Sequence, residues 1–420
     1  MVDDRSNDKL TLEINGVNFG EIKEYTLRKD VLQGCGAFEA EINPLRHVSV
    51  CHEPLLYKIK IGNRLYQTGW LDTTSRHANK TTHNYHISGR DVCQLWIDNY
   101  LLKSHNFSGV PFQQIINTTL SDSASVSCCG KTLRLNDAIT PTITSEAQEQ
   151  AASLIKGIHN ITSEPGQTIF EFLGRLCNQL GLIIYSSEDG RIVIDTLLRD
   201  DAGKNPFQAI NKTNDRGNNN ITEIEFHESA VAYHAYKKIQ GQVSAPLLDE
   251  SGEALSFKNR KIDARRRIEH LDTSFLGLTR FRTVKLFETD GVSWTAGAEK
   301  LLRSVSTKEA RELFALHLTF HGHAQSEPYD INRNIYVDDD LTGLRGTWVI
   351  YGVEMRGSKT EGYSTRLECH TKSRTDSEAM VYTNDSGQTQ RIYAEDTQPF
   401  AEMYDTIKSK EYRLREGAKL

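Results

Sequence analysis

From the N-terminus to about residue 90, apolar and polar positions alternate in short runs, "LTLEI", "AFEAEI", "YKIKIG" and "THNYHIS", separated by Gly, Asn and Pro. Period-two alternation of this length predicts strands of an antiparallel sheet or small barrel, each buried on one face. In the last run Tyr85 and Ile87 share one face, and His86 and Ser88 share the other. That run leads straight into Gly89-Arg90-Asp91 and then into Val92, Leu95 and Trp96 at helical spacing. Gly89 relaxes the strand end and Asp91 is placed to cap the short helix. The corner is therefore expected to be scaffold rather than a catalytic elbow.

Beyond residue 105 the period changes. "PFQQIINTTL" reads as an amphipathic helix opened by a proline, which the first helical turn tolerates. In "GQTIFEFLGRLCNQLGLIIYSSEDGRIVIDTLL", Ile169, Leu173, Leu176 and Leu180 recur at helical spacing, and Gly181 stands just past the end as a C-terminal cap. Two β-rich runs follow, joined by a turn carrying Asp189-Gly190, a tight-turn signal. Residues 199–220 are polar and rich in Asn and Gly and are expected to form a long mobile loop. After 220 strand patterns return, interrupted by one expected helix at 296–311 with Ala298, Leu301, Leu302 and Val305 as its apolar stripe. The stretch 376–420 reads as a polar tail with a late amphipathic segment that docks on something else.

A chain of 420 residues exceeds what one core usually serves, so two to three domains are expected. A net charge of -6 argues against tight nucleic-acid binding by electrostatics. The acidic start and the lack of a long apolar run predict neither an export signal nor a membrane span. Seven cysteines, at 35, 51, 93, 128, 129, 177 and 369, include no C-x-x-C pair, which suits a reducing cytoplasm.

Phosphate-cradling, dinucleotide, zinc-protease and nucleophile-elbow motifs are all absent from the chain. Three candidates for chemistry remain. His317, His321 and His323 have the same parity and would project from one strand face as metal ligands, although Phe314, Leu316, Leu318 and Phe320 alternate with them and make the histidines the wet side of an amphipathic strand. "VDDDLTG" at 337–343 holds adjacent carboxylates, which point in different directions and suit a solvated turn better than a hard cation. Vicinal Cys128-Cys129 lack an electropositive neighbour that would activate them. No cofactor is expected, and no metal beyond the histidine candidates.

The order of these elements carries more information than any single motif. A strand-rich segment ending in "ISGRDVCQLWIDN", a Pro-started helix, the helix-plus-hairpin above and a late "TWVIYGVEMRGSKTEGYSTRLE" hairpin together resemble the baseplate hub proteins of contractile phage tails. The likeness is to the Mu-like hub and the late control gene D family, related to the hub part of type VI secretion spikes, and it spans residues 10–375. It implies a mainly β, α+β fold: two similar antiparallel β-barrel modules with an inserted α+β domain. Residues 1–104, completed by a strand after 220, would form the first module, 105–220 the insertion and 221–375 the second. Gly89, Arg90, Asp91 and Trp96 match the family's strand-to-helix corner, and Trp348, Tyr351, Gly362 and Tyr363 match its final hairpin, as architecture rather than catalysis.

The resemblance further implies a non-enzymatic homotrimer in the virion tail baseplate, assembled in the host bacterial cytoplasm. Its partners would be a central spike protein, a tail tube or tube-adaptor protein and other baseplate proteins, with DNA passing only transiently and no stable membrane association. No β-helical needle follows the second module, so the spike is expected to be a separate chain. The alternatives are a tail-associated peptidoglycan hydrolase, whose carboxylate pair need be close only in space, and the hub of a tail-like bacteriocin or secretion particle.

Overall fold

The computed structural model describes residues 9–19, 22–31, 33–42, 54–78, 83–123, 125–128, 131–134, 139–155, 161–164, 166–196, 206–214, 216–228, 236–241, 267–271, 281–286, 314–360, 362–371, 381–383 and 389–391. The fold is α+β and mainly β. The alternating runs at the start become β1 (Leu10–Ile14), β2 (Val17–Phe19), β3 (Ile22–Asp30), β4 (Ala37–Ile42), β5 (Leu56–Ile61), β6 (Arg64–Ala78) and β7 (His83–Asp91), with α1 (Gln94–Asp98) following at once. Their inward positions are nearly dry: Leu12, Phe38, Ile42, Tyr57, Ile59 and Ile87 bury essentially all of their surface, and this burial supplies most of the lobe's driving force.

The chain then leaves the sheet for a second core. It is built by β8 (Asn106–Phe107), α2 (Phe112–Ser123), β9 (Ser125–Cys128), β10 (Lys131–Arg134), β11 (Thr142–Ile143), α3 (Ser145–Ile155), β12 (Ile161–Thr162), α4 (Ile169–Gln179), β13 (Leu182–Ser186) and β14 (Ile192–Thr196). Phe112, Ile115, Ile116, Ala151, Ile169, Leu173, Leu176 and Ile194 pack together here. The hairpin β13–β14 touches both cores: Leu182 and Ile184 face the helices while Ile183 joins the first core. Gly181 adopts φ 71 after α4 and Gly190 φ 80 in the hairpin turn, conformations that cost glycine little.

At the start of α4 the Thr168 hydroxyl accepts from the Glu171 amide at 3.1 Å, and the Glu171 carboxylate accepts from the Thr168 amide at 2.8 Å. This reciprocal box satisfies two amides that the first turn leaves without helical partners. Thr168→Ala is expected to cost about 1 kcal/mol, measured by urea denaturation.

The remaining described strands are β15 (Phe207–Asn211), β16 (Ile221–Glu228), β17 (Tyr236–Gly241), β18 (Arg267–Leu271), β19 (Phe281–Leu286), β20 (Phe314–His321), β21 (Asn334–Asp339), β22 (Arg345–Ser358), β23 (Gly362–Thr371), β24 (Val381–Thr383) and β25 (Thr389–Arg391). Within the expected loop at 199–220, Phe207–Asn211 instead form a strand, β15, which pairs in parallel with β21. Its polar composition hid the strand: Phe207 and Ala209 are its only fully inward positions. The expected helix at 296–311 lies outside the described residues.

One continuous sheet joins both ends of the chain, in the order β16-β20-β23-β22-β3-β4-β7-β6-β5-β1-β2. β22 lies beside β3 in this sheet. Its first half pairs with β21 and its second half with β3, and the exchange falls at a bulge between Ile350 and Gly352. Tyr351 sits in that bulge, where its carbonyl accepts from the Val31 amide at 2.9 Å. A bulge bends a strand and raises its twist, which lets β22 serve two partners along one edge. Among the described residues the pairing runs between the free edges of β16 and β2 and does not close into barrels.

Candidate functional site

The Gly89–Trp96 corner is where the chain crosses from the sheet core to the helical core. Tyr85 and Ile87 belong to the first; Val92 and Trp96 belong to the second. Gly89 has no room for a side chain, since a Cβ there would lie 2.5 Å from the Trp70 carbonyl oxygen and 2.8 Å from the Tyr57 ring. Arg90 points outward and clasps two carboxylates, Asp72 at 2.7 Å and Asp98 at 2.6 Å. Those charge-assisted hydrogen bonds hold the guanidinium protonated well beyond its ordinary range.

Asp91 departs from the expected helix cap. It is the last residue of β7, and the N-cap position of α1 is Cys93, whose own side chain makes no cap bond. The Asp91 carboxylate is 3% exposed and accepts from the Gly36 amide at 2.6 Å, the Cys93 amide at 2.9 Å and the Cys35 thiol at 3.2 Å. It ties the β3–β4 connection to the corner. Burial raises the Asp91 pKa, against the lowering effect of those amides. Burial also pushes the Cys35 and Cys93 thiols far up, which favours their protonated form over the thiolate. Trp96 is wholly buried and donates its indole N–H to the Ile139 carbonyl at 2.8 Å.

The final hairpin is equally architectural. Trp348 packs edge-on against Phe226 at 6.2 Å, and Tyr351 packs edge-on against His370 at 4.8 Å. Gly362 takes φ 82 as the first residue of β23, and Tyr363 packs against the His323 ring at 5.5 Å.

The three histidines do not share a face. His317 is half-buried and His321 exposed on the outer side of β20, with Leu316, Leu318 and Phe320 inside as alternation predicts. Gly322, at φ 81, then breaks the alternation and swings His323 into the interior, where it is fully buried. Burial and the neighbouring Arg366 lower the His317 pKa. Among the described residues no group of three His, Cys, Asp or Glu side chains gathers in a way that could hold a metal ion.

The three aspartates of the 337–343 turn are each spoken for. Asp339 is buried and accepts from the Thr342 amide at 2.6 Å and the Asn211 amide group at 2.6 Å. Asp338 and Asp340 are ion-paired by Lys212 and Arg345. The vicinal pair Cys128-Cys129 is described only through the Cys128 backbone, in β9.

Two interactions between β3 and the β20–β21 connection have no local sequence signal. Lys29, on β3 and almost wholly buried, reaches Asp330 at 3.1 Å and lies 3.9 Å above the Tyr66 ring. Tyr25, also on β3, bonds His323 at 2.5 Å. Their partners lie 301 and 298 positions away in the chain, a separation at which spacing predicts nothing.

No family model matches the chain, and no curated protein is similar to it in sequence. Solved structures are similar in fold. The tail protein from Neisseria meningitidis MC58 superposes with a TM-score of 0.66 at 16% identity, covering 86% of this chain and 96% of that one. The 43 kDa tail protein of prophage MuSo2 from Shewanella oneidensis gives 0.59 at 15% identity, covering 86% and 98%. The E. coli c3393 protein, described as a type VI secretion component with structural similarity to the T4 tail proteins gp27 and gp5, gives 0.52 at 10% identity, covering 91% and 80%. Across most of its length, this chain has the fold of these phage-tail and secretion proteins.

Proposed function

We propose that the chain is the structural hub of a contractile-tail baseplate. Three copies form a ring that joins the sixfold tail tube to the threefold central spike and leaves a channel for DNA. Residues 1–104 with β22 would be one ring module, 221–375 the other and 105–220 an outward insertion. The observation that carries this reading is the sheet itself: strands from both ends of the chain meet through the β3–β22 ladder, so each chain sets two β units side by side, in a fold similar to tail proteins over 86% of its length. Three chains with two units each present six similar faces to a sixfold tube, a match that closed cyclic symmetry requires. The tightly engaged corner, hairpin and carboxylates support a role in assembly rather than catalysis.

Each copy carries a net charge of -6, which suits a conduit that must not hold DNA by counterion release. Mixing the purified chain with its candidate spike and weighing the complex is expected to give three copies per spike. In the same sample, DNA is expected to pass unretained at physiological salt. A single copy bound per threefold spike, or firm DNA retention, would count against the reading. Wall lysis by the chain alone would instead favour the hydrolase alternative.

A further inference from the structure

The amphipathic segment near the C-terminus lies outside the described residues, and its sequence is specific about what it needs. Pro399 suits a first helical turn, Glu402 and Asp405 come early, and Lys408, Lys410, Arg413 and Arg415 come late, the charge order that a helix dipole favours. Phe400, Met403, Tyr404 and Ile407 fall at i, i+3, i+4 and i+7 and so share one apolar face. A helix this short is marginal in water by itself, and that face calls for an apolar groove.

The described fold offers a groove of matching chemistry. Between the start of α2 and the face of α3 lies a cleft of about 320 Å³, with the buried Phe112 and Ile155 as its floor and Val110, Pro111 and Ala152 as its walls. Ala152 is exposed and small enough for another backbone to come close. Along α3 the lining residues Gln148, Ala152 and Ile155 stand at i, i+4 and i+7, so the cleft follows the helix axis. Gln148 to Ile155 and Phe400 to Ile407 are stretches of equal length, about 10 Å each as helix. A cleft of similar size on the outer sheet face carries Glu24, Glu39, Glu41 and Arg356 and suits no apolar face.

Charge and reach agree with this pairing. α3 carries Glu146 and Glu149 and no basic side chain, whereas residues 408–420 hold five basic side chains against two acidic ones. Apart from the span of the β24–β25 hairpin, residues 372–380 and 392–399 connect Thr371 to Phe400. At full extension they reach about 55 Å, against a radius of gyration of about 22 Å for a compact chain of this length.

We infer that residues 400–415 form a helix that docks on its own chain in the α2–α3 cleft, antiparallel to α3. Phe400 then meets the Ile155 end, Ile407 the Gln148 end, and Lys408 and Lys410 approach Glu149 and Glu146.

The test is photo-cross-linking of the full chain with benzoylphenylalanine in place of Met403, the products being mapped by mass spectrometry. Cross-links are expected within one chain, to residues 109–113 or 148–155. Ala152→Glu, which sets a charge on the exposed wall, should cut their yield by at least about tenfold while circular dichroism stays constant. Cross-links confined to other surfaces, products of twice the mass joining two copies, or an unchanged yield in Ala152→Glu would each overturn the docking. Should Ala152→Glu not fold, a free peptide of residues 397–415 replaces it, added at several millimolar, the order of the effective concentration of a tethered segment. That peptide should suppress the cross-link, and the same peptide with Phe400→Asp and Ile407→Asp should not. Equal action of the two peptides, or none by either, overturns the proposal.

Discussion

Gly89→Ala is expected to destabilise the protein by roughly 3 kcal/mol, the upper part of the range for overpacked interiors. The added methyl would meet the Trp70 carbonyl at 2.5 Å, the Tyr57 ring at 2.8 Å and the Leu71 Cα at 3.1 Å. Two of these are backbone atoms of the neighbouring β6, paired to β7 at this level, and the third belongs to a fully buried ring. None can yield without disturbing the ladder. Gly69, paired with Asp91, is tighter still: a Cβ there would lie 2.1 Å from the Arg90 carbonyl. Denaturant titration of the two alanine variants beside His86→Ala, an exposed residue on the same strand, should show two large losses and one negligible one. A Gly89→Ala protein within about 0.5 kcal/mol of wild type, the usual spread of neutral surface changes, would mean that the corner is looser than described.

Asp91→Ala is the second large effect, expected at about 2 to 4 kcal/mol because it strands buried donors without an acceptor. The Gly36 and Cys93 amides and the Cys35 thiol all lose their partner at once. Asp91→Asn keeps the shape and one acceptor oxygen, and should lose less. The pH dependence has a definite sign. Burial raises the Asp91 pKa above its ordinary 3.8, so the folded state holds that proton more firmly than the unfolded chain. Its stabilising contribution is complete below 3.8 and is lost as the pH rises through the raised value. The deficit of Asp91→Asn relative to wild type should therefore shrink over the same rise, as read from denaturation midpoints at a series of pH values. A deficit that grows with pH would show that hydrogen bonding to the carboxylate outweighs its desolvation.

Local chemistry was the legible part of this chain. Tyr85, Ile87, Leu316 and Leu318 face inward as their alternation predicts, and α2 and α4 form where "PFQQIINTTL" and the Ile169, Leu173, Leu176 and Leu180 spacing place helices. Errors arose wherever one residue changed the local rule. Gly322 reverses the direction of His323, so a parity argument sound for His317 and His321 fails two residues later. Asp91 ends the strand, and its carboxylate joins the Gly36 amide, 55 positions earlier, to the Cys93 amide at the helix start, a long-range tie that no local pattern shows. β15 was hidden because a five-residue strand with two inward side chains, Phe207 and Ala209, is indistinguishable by composition from a polar loop.

These long-range contacts lay beyond local reading altogether. Lys29 with Asp330, Tyr25 with His323, and Gly357 beneath the Tyr25 ring are set by the pairing of β3 with β22, and no spacing within either strand announces that partnership.

Electron microscopy of the purified full chain, alone and mixed with its candidate spike, tests the hub reading most directly. The account predicts threefold rings with an open central channel and six similar β units around it, at the latest once spike is present to favour assembly by mass action. A chain that remains monomeric at every concentration of spike would contradict it.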